Sequence, residues 1–158
     1  MNMEMILDFI VIILLIVIAW NDLKTMEIPD GCNFLLGVCG VLSLGFFAEP
    51  CILERLLGVV AVSVPMYLVC LGIPGAFGGG DIKLVFVMGF YLGWKSLLAG
   101  VFIGIMIGGI QAACLLIDRK VKTGEGTHMA FGPALCTGLI VATLYGDELI
   151  SWYFGLFY

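Results

Sequence analysis

The chain has 158 residues, of which 62% are hydrophobic and 12% charged, and its mean hydropathy is +1.17. Soluble domains carry about 25% charged and 45–50% apolar residues, so a water-soluble globule, a disordered tail and a large soluble domain on a membrane anchor are excluded. Seven Lys and Arg against twelve Asp and Glu give a net charge of −5, which excludes nucleic acid as a partner. The expected fold is all-α: a polytopic membrane helix bundle of about six transmembrane helices in the lipid bilayer.

The first apolar run, 5–20, is broken only by Asp8. Residues 1–4 hold no basic side chain and no small-x-small cleavage site follows, so it reads as a retained span, not a signal peptide. Glu4 and Asp8 lie one helical turn apart near its outer end. The second run is 32–48. The third, 56–74, contains Pro65, an expected kink. The fourth, 84–94, has 11 residues and reaches only about 17 Å, against a hydrocarbon core of roughly 30 Å. Either this span begins earlier, inside the glycine-rich link, or it is a half-length element. Both options sink Gly78-Gly79-Gly80-Asp81 below the membrane surface. Irregular backbone at that depth needs protein or a water-filled cavity around it, so the loop is expected to line a wet pocket.

The fifth run is 97–117 and the sixth 131–145, and the aromatic stretch 149–158 suits the interface. Gly100, Gly104 and Gly108 share one helix face, as do Gly89 and Gly93, and both faces are expected to pack helices closely. The links 21–31, 75–83 and 118–128 hold Lys24, Lys83, Arg119, Lys120 and Lys122; the links 49–55 and 95–96 hold Arg55 and Lys95. That asymmetry puts the first set in the cytoplasm and both termini outside. The six cysteines form no CxxC pair, five of them lie in apolar runs, and His128 has no Cys or His neighbour. They read as small hydrophobes, with no metal site.

Acids in or beside a span are costly and need a reason. Asp22 follows the first span and Asp81 precedes the fourth, on the same predicted side. Two carboxylates at close range share a proton, which lets one activate water while the other donates to a carbonyl. Two plainer readings stay open: Asp22 as a solvated loop acid, and Asp81 as a helix N-cap. Glu27, Asp30, Asp118 and Glu125 compete on the same side.

The stretch Gly78-Gly79-Gly80-Asp81-Ile82-Lys83-Leu84, running on to Gly89 and Tyr91-Leu92-Gly93-Trp94, resembles the signature of the type IV prepilin peptidases, intramembrane aspartyl proteases of the GxGD type. Asp22-Leu23-Lys24-Thr25-Met26-Glu27-Ile28-Pro29-Asp30 is similar to the family's other acid motif, and Phe131-Gly132-Pro133-Ala134-Leu135 to its third element. The resemblance covers essentially the whole chain, 1–158, as a single membrane-embedded peptidase domain.

It implies that Asp22 and Asp81 are the catalytic pair, and that Gly78, Gly79, Gly80, Lys83, Phe131, Gly132 and Pro133 border the substrate. The implied activity is removal of the basic leader from type IV prepilins or pseudopilins at the cytoplasmic face of the bacterial inner (plasma) membrane. Larger relatives carry a CxxC-bearing region that accompanies N-methylation. Without any CxxC, this chain resembles the short, core-only form, and neither S-adenosylmethionine nor a metal is expected as a cofactor. Ala130 and Ala134 depart from the residues many relatives have there. Two rival readings are another GxGD-type signal-peptide protease, whose downstream tripeptide Pro133-Ala134-Leu135 matches, and a non-enzymatic membrane assembly or transport subunit that would use Asp8.

Overall fold

A computed structural model describes residues 3–47, 49–73, 77–117 and 130–155. Ala48, Pro74 and 118–129, with the basic residues of that link and His128, lie outside the described residues, as do Asp118, Glu125 and 156–158. The described residues form a helical membrane bundle of five helices: α1 (Met3–Thr25), α2 (Asp30–Phe46), α3 (Ile52–Gly72), α4 (Gly79–Ile117) and α5 (Gly132–Gly155). By length and composition α1, α3, α4 and α5 are long and apolar enough to cross a membrane, and α2 is a shorter apolar helix. The exterior is correspondingly apolar. Phe34 is 72% exposed, and Phe9 and Phe102 are exposed on α1 and α4, a surface that suits lipid and not water.

The fourth and fifth apolar runs are joined in α4, which leaves helical geometry only at Gly93 (φ 74, ψ 171). Of the two options for the short fourth run, the helix begins earlier. Its 79–92 part reaches about 21 Å at 1.5 Å per residue. Gly93 packs on Gly58 together with Gly89, as expected of that face, and is also a chain break in a region of backbone space open essentially to glycine. A Cβ there would also lie 2.9 Å from Pro50 Cβ. α5 has a similar interruption at Tyr145 (φ −132, ψ 16), and α3 continues through Pro65.

Close seams hold the bundle together. Gly58 of α3 and Gly89 of α4 lie backbone against backbone, so that a Cβ on either would strike the other's carbonyl. Gly100 faces Ala142 and Gly138, Gly104 faces Leu135, and Gly108 faces Phe131, as expected of that stripe. Cys39 and Cys136 are buried, and all six cysteines are free.

Arg55, expected in an outer link, is instead in the first turn of α3 and 1% exposed. Its Nε donates to Pro50 O at 2.9 Å, and its Nη1 to Ser43 Oγ at 2.6 Å, Phe90 O at 3.1 Å and Tyr91 O at 3.4 Å. Phe90 and Tyr91 end the helical run before Gly93, where carbonyls lose their intrahelical donors. The guanidinium thus caps an interrupted helix and ties three elements at one end of the bundle. At the same end Asp8 is half-buried and accepts a 2.7 Å hydrogen bond from Tyr91 Oη.

Candidate active site

The sequence builds the other end of the bundle from three helix termini. The buried residues of α1 are Leu7, Val11, Leu15, Ile18 and Asp22, spaced by three or four so that they form one stripe. Asp22 therefore continues the core face of a helix that runs on to Thr25. It is 6% exposed and is no solvated loop acid. That spacing is a signal in the sequence that could have separated Asp22 from Glu27 and Asp30, both of which are exposed.

Asp81 is the third residue of α4 and 7% exposed, so it is not the N-cap residue, though its carboxylate accepts a backbone hydrogen bond from Gly78 just before the helix. Gly79, Gly80 and Asp81 are helical, not the irregular loop expected; the Asp81 N–H donates to Gly78 O at 3.1 Å in the opening turn. The pocket itself is present. Asp22 and Asp81 line one cavity of about 340 Å³, together with Gly78, Gly79, Gly80 and Ile28. Met26, Glu27, Asp30 and Lys83 border the same cavity.

The glycines have distinct local reasons. A Cβ on Gly78 would lie 3.1 Å from Asp81 Oδ2, and one on Gly80 would lie 2.8 Å from Ile28 Cβ. Gly79 faces open space, with nothing within 4 Å of where its Cβ would be. Lys83 Nζ pairs with Asp30 Oδ1 at 2.7 Å, both side chains largely exposed. The pair ties the start of α2 to the start of α4.

The third motif reaches the acids directly. The Gly132 N–H, at the first residue of α5, donates to Asp22 Oδ2 at 3.0 Å. A Cβ on Gly132 would lie 2.5 Å from that oxygen. The first N–H groups of a helix have no intrahelical acceptor, so α5 presents a free donor and Asp22 takes it. Sequence reasoning placed Gly132 at the pocket wall but missed this bond. Phe131 stacks edge-on with Phe77 at 6.3 Å between ring centres and packs on Gly108, while Pro133 follows in the first turn of α5, where its missing N–H costs nothing. Among the described residues, no three His, Cys, Asp or Glu side chains are grouped to hold a metal ion.

Residues 9–113, which include both acids, match the type IV leader peptidase family. The chain belongs to that family. Among curated members of the family, it is 33% identical over 156 residues to the prepilin leader peptidase/N-methyltransferase of Bacillus subtilis, covering 96% of this chain and 60% of the relative. It is 28% identical over 150 residues to the prepilin leader peptidase/N-methyltransferase of Aeromonas hydrophila, covering 88% of this chain and 49% of the relative. For the protein of that name from Neisseria gonorrhoeae the identity is 30% over 138 residues, covering 82% and 45%. This leader-peptidase family chain thus spans between 45% and 60% of the length of those relatives. No solved structure matches it.

Proposed function

We propose that this chain is an aspartyl endopeptidase that removes the basic leader from type IV prepilins or pseudopilins. Asp22 and Asp81 are its catalytic pair, at the cytoplasmic face of the bacterial plasma membrane. The observation that carries the reading is the convergence of two nearly buried carboxylates, from different helices, on one cavity at one end of a membrane bundle. Burial of an acid in such a place is costly without a function.

The pair holds one proton between its two carboxyl groups. The ionised member takes a proton from water as it attacks the scissile carbonyl, and the protonated member donates to the carbonyl oxygen. The Gly132 N–H fixes the rotamer of Asp22. The open face at Gly79 admits an extended peptide backbone beside Asp81. With Asp30 paired to Lys83, Glu27 on the cavity border favours a Lys- and Arg-rich leader over an acidic one.

Asp22→Asn and Asp81→Asn are each expected to leave expression intact and to abolish cleavage of a co-expressed prepilin, read as a mobility shift and by N-terminal sequencing. Processing by either variant would refute the assignment.

A further inference from the structure

Between α2 and α4 runs a groove of about 700 Å³, walled by Phe34, Gly37, Val38, Val41, Phe86 and Val87. Its lining is almost wholly apolar, except at the end where Asp30 and Lys83 border it. The same two residues border the acid cavity, so the groove and the cavity share a rim. In the groove wall sits Asn33, 5% exposed, whose Nδ2 and Oδ1 both lack a hydrogen-bond partner. A buried amide with neither group paired is unfavourable, and an apolar side chain of its volume would not be.

We infer that this groove seats the apolar segment of the substrate, with Asn33 as the polar partner of its backbone where the helix gives way to the cleaved strand. The inference rests on the prepilin-peptidase reading. A chain that is helical in lipid satisfies its own backbone, but each helix terminus leaves up to about four N–H or C=O groups unpaired. A protease must hold an extended stretch at the acids, so the substrate helix has to end beside them. An amide offers both a donor and an acceptor at that point.

Charge runs the same way along the site. The cleaved bond lies at Asp22 and Asp81 in the cavity, Glu27 on the cavity border suits the basic leader, and the apolar trough reached across the Asp30–Lys83 rim suits the hydrophobic segment beyond that bond. Gly37 keeps the trough open: a Cβ there would meet only Val87 Cγ1, at 4.0 Å. A Cβ at 37 therefore fits the fold, and a longer side chain on it would take up space in the groove.

The test uses membranes containing the full chain and a prepilin with a basic leader and an apolar segment of about 20 residues. That substrate carries benzoylphenylalanine near the start of the segment. In the Asp81→Asn variant, photo-crosslinks are expected on α2 and the 79–92 part of α4; crosslinks confined to α1, α3 or α5 would overturn the inference. Gly37→Leu is expected to raise KM about tenfold with kcat retained, and an unchanged KM would overturn it. Asn33→Leu is expected to raise the thermal unfolding midpoint while slowing cleavage about tenfold. A more stable variant that cleaves at the wild-type rate would remove Asn33 from the inference. A wild-type chain that leaves the prepilin uncut would sink the peptidase reading itself. Cleavage with crosslinks elsewhere would sink the groove alone.

Discussion

Gly132→Ala tests the site most sharply, because it adds one methyl group and changes no charge. The added carbon would stand 2.5 Å from Asp22 Oδ2, 2.7 Å from its Cγ and 3.1 Å from its Cβ. Comfortable non-bonded contacts lie at about 3.5 Å, so the carboxylate must retreat by about 1 Å and its 3.0 Å bond from the Gly132 N–H is lost or bent. Helix α5 does not yield freely, since Gly138 already touches the backbone of Gly100 and Gly104. A displacement of that size at a reacting group costs about 10²-fold in rate, or about 2.7 kcal/mol of transition-state stabilisation. The assay is prepilin processing in isolated membranes, with rates taken at saturating substrate and enzyme amounts equalised by blotting. Gly31→Ala, at a position with nothing within 4 Å, is the matched control and is expected to process normally. Gly132→Ala activity within threefold of wild type would refute the role given to this contact.

Two further outcomes concern the opposite end of the bundle. Arg55→Met removes four hydrogen bonds and orphans the Phe90 and Tyr91 carbonyls; a loss of about 3 kcal/mol or more is expected in denaturation in detergent, and a loss below about 1 kcal/mol would contradict the capping role. Gly93→Ala forces a side chain into a left-handed backbone and against Pro50, for an expected cost of about 1–3 kcal/mol. An unfolding midpoint equal to that of wild type would refute it.

Much of the fold was legible because membrane burial writes itself in long apolar runs, and the residues of α1, α2 and α3 follow those runs closely, whereas α5 joins the sixth run to part of the aromatic stretch after it across the break at Tyr145. The boundaries at Asp22 and Arg55 were not. Charged residues were assigned to links, whereas both continue a helix and face inward, Asp22 on the stripe that begins at Leu7 and Arg55 on the one that continues through Gly58 and Val62. Mean hydropathy is blind to facing, which only the three-and-four spacing of neighbours reveals. Gly93 was legible only in part. Its spacing from Gly89 placed it on the face that packs on Gly58, but its positive φ is a property of the backbone that no spacing encodes. Glu27, Asp30, Asp118 and Glu125 competed on the same side, and Asp22 and Asp81 were nameable only because the motifs around them resemble those of the prepilin peptidases. The Gly132 N–H that holds one of them is main-chain chemistry and carries no letter of its own. Asn33 was passed over inside an apolar run, where a lone amide reads as noise until its lack of partners is seen.

The stripe that buries Asp22 makes its aim a matter of phase. Each residue turns an α-helix by about 100°, and Leu7, Val11, Leu15 and Ile18 hold α1 against rotation. One residue inserted between Ile18 and Asp22 would swing the carboxylate round the cylinder, away from its partner and out toward the acyl chains, without touching any recognisable motif. The number of residues in an otherwise greasy, featureless span is therefore as much a determinant of the chemistry as the aspartate at its end.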